Sequence, residues 1–168
     1  MNLIDIKSPA DLKGLSISEL TDLTAQARQA LMTKVSEQGG HVGPPMGAAE
    51  MIMALHYVFN SPVDKIVYDV SHQSYVHKMV TGRALAFLDH NHYDDVTGYT
   101  DPTESEHDFF NIGHTSTSIS LASGLATARN LKGDSENIIA IIGDGSLSGG
   151  EAFEGLDYAA TLDSNMII

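Results

Sequence analysis

The chain has 168 residues, of which 42% are hydrophobic and 18% charged, and its 22 acidic residues against 9 Lys and Arg give a formal charge of −13. That length suits about one globular domain, the apolar content excludes general disorder, and the acidic balance excludes a surface built to grip nucleic-acid phosphates. With no cysteine, neither a disulfide framework nor a thiolate nucleophile is available.

From the amino terminus, Met1 to Lys7 carries no signal-peptide pattern, and no apolar run approaches membrane-spanning length, so a cytoplasmic protein is the expectation. Ser16 and Glu19 form a capping box ahead of a helix with Leu20, Leu23, Ala27, Ala30, Leu31 and Val35 on a core-facing stripe. His41 follows in a Gly-flanked segment with Pro44-Pro45, which reads either as a shaped functional loop or as a plain turn. A second helix from about Gly47 to Phe59 is apolar nearly all round and is expected to be buried.

Lys65 to Val70 predicts the first strand. His72 and His77 follow, and zinc is the rival reading for them. Their spacing of five separates them on a helix, and no Glu completes a His-Glu-x-x-His pattern. Residues 84–103 read as a long loop whose His90-Asn-His-Tyr-Asp-Asp95 cluster either binds metal or is simply solvated. Gly113 to Ser120 reads as a capped helix start, with Leu121, Leu125 and Ala128 turned towards the sheet.

Ile138 to Ile142 is a continuous apolar run suited to a strand buried on both faces of a parallel sheet. It delivers Asp144 between Gly143 and Gly145, glycines that free the backbone and allow close approach of a ligand. Ser146 or Ser148 would cap a helix through Glu151, Ala152, Phe153, Leu156 and Ala159. Another strand opens at Asn165. The fold class is therefore α/β, a parallel sheet flanked by helices in a βαβ succession.

At the carboxyl end of a strand, where open α/β sheets bind ligands, Asp144 makes chemical sense as a magnesium ligand, the cation bridging to a diphosphate. The absence of a Lys-Ser/Thr ending excludes a P-loop, and Ser148 in place of a third glycine makes a poor dinucleotide fingerprint. A bare strand-to-helix turn with Asp144 as cap stays open.

Five segments narrow the choice: Gly40-His-Val-Gly-Pro-Pro-Met-Gly47, Tyr68-Asp-Val-Ser-His-Gln-Ser-Tyr-Val-His-Lys78, Glu104-Ser-Glu-His-Asp108, Gly113-His-Thr-Ser-Thr-Ser-Ile-Ser120 and Gly143-Asp-Gly145. In order and spacing they resemble the amino-terminal domain of the 1-deoxy-D-xylulose-5-phosphate synthase family, transketolase-like enzymes that use thiamine diphosphate and Mg2+. The resemblance implies a diphosphate-binding domain in which Asp144 holds magnesium, Gly145 and Ser146 lie along the diphosphate, and Gly113, His114 and Thr115 form another part of the cradle. It implies that His72 lies beside the cofactor and that His41 faces the substrate and assists proton transfer.

It further implies a homodimeric transferase of isoprenoid and thiamine biosynthesis that decarboxylates pyruvate and joins the remaining two-carbon unit to D-glyceraldehyde 3-phosphate. The family's second magnesium ligand, an Asn, would fall just beyond Ile168. Residues 1–168 are thus expected to be a partial domain, inactive alone. In 84–103 the chain departs from the family, with Gly98-Tyr-Thr-Asp-Pro102 where many members carry a His-Pro-rich stretch. A ketol-transferring transketolase-like subunit and a noncatalytic paralogue or assembly module are the alternatives.

Overall fold

The Ser16/Glu19 capping box forms as expected: the Ser16 amide donates to Glu19 Oε2 at 2.8 Å and the Glu19 amide donates to Ser16 Oγ at 3.3 Å. Both orphan donors at this helix start are thereby satisfied. The structure is a computed structural model that describes residues 1–168. Two compact units divide the chain, one of Met1–Asn60 with His72–Tyr99 and one of Ser61–Ser71 with Thr100–Ile168.

The first unit is helical. Helix α1 (Ile17–Gln38) buries Leu20, Leu23, Ala27, Ala30 and Leu31 as its periodicity requires, while Val35 is half-buried. Short helix α2 (Gly43–Gly47) takes up the Pro44-Pro45 segment, and α3 (Ala49–Val58) follows. Arg28 on α1 pairs with Glu50 on α3 and donates to the Met46 carbonyl at 2.9 Å, fixing the turn that follows His41. Contrary to expectation, α3 is not buried all round. Ile52, Met53 and His56 face inward, whereas Met51 and Val58 are exposed, because α1 covers only one side.

After α4 (Tyr75–Lys78), the stretch expected to be a loop contains α5 (Leu85–Leu88) and a 3-10 segment, His90–Asp95. The reason lies far away in sequence. Lys34 is buried, and its ammonium donates to the carbonyls of Ala86 (3.0 Å) and Tyr93 (2.7 Å) while sitting 4.5 Å from the centre of the Phe87 ring. Two charge-assisted bonds and a cation–π contact brace this segment against α1.

The second unit holds the sheet. Strands β1 (Lys65–Tyr68), β2 (Ile138–Ile141) and β3 (Met166–Ile167) run parallel in the order β1-β2-β3, with Lys65 opposite Ile138 and Ile138 opposite Met166. β1 ends two residues sooner than predicted, since Val70 and Ser71 have φ of 57° and 72°. Asp64 fixes the register by accepting from both the backbone and the side-chain amide of Asn137 at 2.7 and 2.9 Å.

Helix α6 (Ser118–Lys132) covers one face of the sheet, and α7 (Gly150–Thr161) packs on α6. Ile119, Ala122 and Ala126 meet Val67, Ile138 and Ala140 in the core. Of the face expected for α6, Leu121 and Leu125 pack half-buried against this core, whereas Ala128 is exposed. Ala122 and Ala126 are fully buried in that core. Arg129, also buried, ties the strand starts together by donating to the carbonyls of Glu136 (2.9 Å) and Asn165 (2.8 Å). Phe153 on α7 is 57% exposed, so it is not the core residue its spacing suggested.

Candidate functional site

In the second unit, the carboxyl ends of β1 and β2 carry the functional loops. Directly after β1, the buried Asp69 carboxylate accepts from the backbone amides of Ser116 at 3.0 Å and Ser118 at 2.9 Å. The start of α6 is therefore capped by a carboxylate from the strand, not by its own Ser or Thr side chains; its N-cap Thr117 makes no side-chain cap bond. A negative group suits that position because the helix N-terminus is the positive end of its dipole. Ser116 adopts φ 73° under this clamp, a conformation that non-glycine residues seldom take.

The clamp holds Gly113, His114 and Thr115 out at the surface, where all three are exposed. His114 Nδ1 donates to the Thr115 carbonyl at 2.8 Å. A cleft of about 320 Å³ opens beside this loop, lined by Asn111, Gly113, His114, Thr117 and Glu151 among others.

After β2, Asp144–Ser148 form a 3-10 turn before α7. Neither Ser146 nor Ser148 caps α7, whose N-cap is Gly149. Ser148 Oγ instead donates to the Gly145 carbonyl at 2.7 Å. Gly143 has an ordinary φ of −79°, so what it and Gly145 contribute is open space where side chains would stand. Asp144 and Gly145 are exposed, and Ser146 is buried.

One bond joins the two loops. Ser116 Oγ donates to the Ser146 carbonyl at 2.7 Å, fastening the Gly113–Ser116 loop to the Asp144 turn. Gly149 permits it by lacking a side chain, since a Cβ there would lie 2.0 Å from Ser116 Oγ. Sequence reasoning singled out His114 and Asp144 as candidates but not Asp69 and Ser116, which fasten the loops that carry them. The available signal was a carboxylate immediately after a strand in Tyr68-Asp69-Val70.

In the first unit, His41 and His72 come together, with ring centres 5.2 Å apart in an edge-on arrangement. Tyr99 adds a third ring, 5.4 Å from His41. Tyr75 is buried, and its hydroxyl lies 3.2 Å from both the backbone nitrogen and Nδ1 of His41. Gly40 must be glycine to allow this: its φ is 132°, and a Cβ would come 3.1 Å from the Tyr75 oxygen. A cleft of about 360 Å³ runs past His41, Tyr75, Lys34, Gln38, Tyr93 and Gly98. Burial, followed by the negative charge of Glu37, pushes the Tyr93 phenol above its ordinary value.

His77 does not join His41 and His72; its Nδ1 lies 2.8 Å from His56 Nε2 in a fully buried stacked pair. No three His, Asp or Glu side chains gather as a metal centre, which removes the zinc reading of His72 and His77 and the metal reading of the His90–Asp95 cluster. His92 in that cluster bonds Asp95 at 2.7 Å. No helix is long and apolar enough to cross a membrane.

A parallel sheet with a clamped glycine-bearing loop and an acidic turn at its strand ends makes this an α/β domain of the open-sheet kind, a class that binds ligands at the carboxyl ends of its strands. Comparison with known proteins narrows this class to one family. Residues 3–168 match the family model described as 1-deoxy-D-xylulose-5-phosphate synthase. Proteins of that name from Caldanaerobacter subterraneus subsp. tengcongensis and Shouchella clausii are 51% and 49% identical over 99% and 100% of this chain. A third, from Symbiobacterium thermophilum, is 48% identical over 100%. The chain belongs to the 1-deoxy-D-xylulose-5-phosphate synthase family, and it spans about a quarter of the length of these curated relatives.

Proposed function

We propose that this chain forms part of a thiamine-diphosphate-dependent synthase that condenses pyruvate with D-glyceraldehyde 3-phosphate, with loss of carbon dioxide, to give 1-deoxy-D-xylulose 5-phosphate. The observation that carries the reading is the Ser116–Ser146 bond, which holds two separate family motifs, Gly113-His114-Thr115 and Asp144-Gly145-Ser146, as one surface at the strand ends. The residues present fit the cofactor. Asp144 is an exposed carboxylate that makes no hydrogen bond, a hard oxygen donor suited to Mg2+, and magnesium readily completes its octahedron with water and phosphate oxygens. Gly113 and Gly145 leave open space within 4 Å of where a side chain would start, so backbone amides can approach a diphosphate closely.

In this reading Asp144 holds the metal, and Gly113, His114, Thr115, Gly145 and Ser146 bind the diphosphate. His72 lies against the cofactor, and His41 faces the substrate. The chain's formal charge of −13 supplies no basic patch for phosphate, which makes metal and backbone amides the fitting partners. Thiamine diphosphate supplies the electron sink for decarboxylation when bound. This chain's own residues bind, orient and exchange hydrogen bonds with the reacting oxygens. The complete protein would be a cytoplasmic homodimer.

Calorimetric titration of the full-length protein with thiamine diphosphate, with and without Mg2+, tests the binding role. Pyruvate-dependent carbon dioxide release that requires D-glyceraldehyde 3-phosphate tests the reaction. Absence of metal-dependent cofactor binding would overturn the reading.

A further inference from the structure

The His41–Tyr75 contact fixes more than the position of the imidazole. The backbone N–H of His41 can only donate, so at 3.2 Å the Tyr75 oxygen accepts from it. The remaining partner of that hydroxyl is His41 Nδ1, also at 3.2 Å. Tyr75 is 5% exposed, and if Nδ1 carried the proton, the hydroxyl would accept from both His41 nitrogens and its own O–H would have no acceptor within the protein. The arrangement that satisfies all three groups within the protein puts the hydroxyl proton on the line to Nδ1, which then offers its lone pair. Neutral His41 then carries its hydrogen on Nε2, and Nε2 makes no hydrogen bond within the protein.

We propose that Tyr75 is a positioning residue that holds neutral His41 as the Nε2–H tautomer, so that the imidazole presents a hydrogen-bond donor, not a lone pair, to a substrate oxygen. The inference rests on the reading of His41 as the substrate-facing histidine. A fixed N–H suits an oxygen that gains negative charge as a carbonyl is attacked, because such a donor strengthens as the charge develops and needs no reorganisation. Gly40 and Gly98 frame the contact: a Cβ on either would come within 3.1 or 3.4 Å of the Tyr75 oxygen. The other titratable groups around His41 are His72 and Tyr99, at ring distances of 5.2 and 5.4 Å, and Lys34 and Tyr93, which line the same cleft.

The test uses the full-length protein labelled with 15N-histidine, with His41 resonances assigned by difference from His41→Gln. At a pH where His41 is neutral, Nδ1 is expected to show an unprotonated-type shift and Nε2 a protonated one. In Tyr75→Phe, which keeps the ring against Phe87, the two forms are expected to mix. A protonated Nδ1 in the parent, or an unchanged tautomer in Tyr75→Phe, overturns the proposal. Turnover of Tyr75→Phe, measured where the variant is fully folded, is expected to fall about fivefold to tenfold, the worth of one neutral hydrogen bond. Full turnover by Tyr75→Phe would remove the functional half of the proposal. Full turnover by His41→Gln would instead remove His41 from the substrate, while the spectrum would still decide the tautomer.

Discussion

Replacing Asp69 by Asn changes two atoms' chemistry and leaves the shape. The carboxylate accepts from Ser116 N through Oδ2 and from Ser118 N through Oδ1, and it is 1% exposed. The Asn amide offers one acceptor and turns its NH2 against the second N–H, so one hydrogen bond to a charged group is lost and one buried donor is left facing another. Each hydrogen bond to a charge contributes about 1.5–3 kcal/mol, and stranding a buried donor costs about 1–3 kcal/mol. Because the surviving bond also loses its charge, a loss of about 3 kcal/mol of folding stability is expected. Ser116 at φ 73° would then relax, since an αL non-glycine residue stores about 1–3 kcal/mol that only its surroundings sustain. His114 and Thr115 would move with it. Urea unfolding followed by circular dichroism measures the first effect, and calorimetry with Mg2+ and thiamine diphosphate, at a temperature where the variant is fully folded, measures the second. An Asp69→Asn protein with parental stability and parental cofactor affinity would refute the clamp.

Gly149→Ala is expected to break the Ser116–Ser146 bond by bringing a Cβ 2.0 Å from Ser116 Oγ, and Ser116→Gly in the same chain should recover stability, because it removes the clashing atoms and suits the positive φ; a double-mutant cycle by denaturant melts shows whether the two effects are coupled. Asp144→Ala is expected to weaken cofactor binding in the presence of Mg2+ while changing little in its absence, read by calorimetry, and equal losses under both conditions would count against a metal ligand. His41→Ala is expected to lower turnover by about 10²–10⁴-fold at near-parental cofactor affinity, the range for an assisting acid or base. The Arg28 hydrogen bonds hold the Glu50 carboxyl below its ordinary value. Its stabilising effect is then fully present above the ordinary glutamate range and fades as pH falls through the depressed value, so parent and Glu50→Gln stability curves should converge in acid.

What the sequence made legible was local. The capping box, the apolar run at Ile138 and the Gly-Asp-Gly turn are patterns of neighbouring residues, and each forms where its spacing places it. The errors have a common physical origin in partners distant along the chain. Residues 84–103 read as a long loop because Lys34, which binds the carbonyls of Ala86 and Tyr93, lies 52 and 59 residues away. Ser116 to Ser118 read as their own helix cap until Asp69, 47 to 49 residues earlier, takes that role. On α6, Leu121 and Leu125 do pack against the core, but its fully buried members are Ile119, Ala122 and Ala126, which hydrophobicity alone does not single out. His41 was found as a candidate, but nothing in the Gly40-His41 segment points to Tyr75, 34 residues on.

The contacts around Asp69 explain why the backbone is strained where it is. Val70, Ser71 and Ser116 are the three non-glycine residues with positive φ, and all lie beside the end of β1 or in the loop that Asp69 clamps. Val70 is β-branched and unsuited to this region, so the conformation is imposed by its surroundings, not chosen locally. Ser71 shows how: its hydroxyl donates to the Ile112 carbonyl at 2.8 Å and accepts from the Thr100 amide at 2.9 Å. Side-chain oxygens of Asp69, Ser71 and Ser116 thus each bind backbone groups of a neighbouring loop, fixing loop conformation with bonds that do not use the exposed amides of Gly113 to Thr115. A loop held from behind keeps its outward donors available for a ligand, and their orientation is settled before the ligand arrives. In the proposed reading of this loop as the diphosphate cradle, the strain at the strand end is the structural cost of that preorganisation.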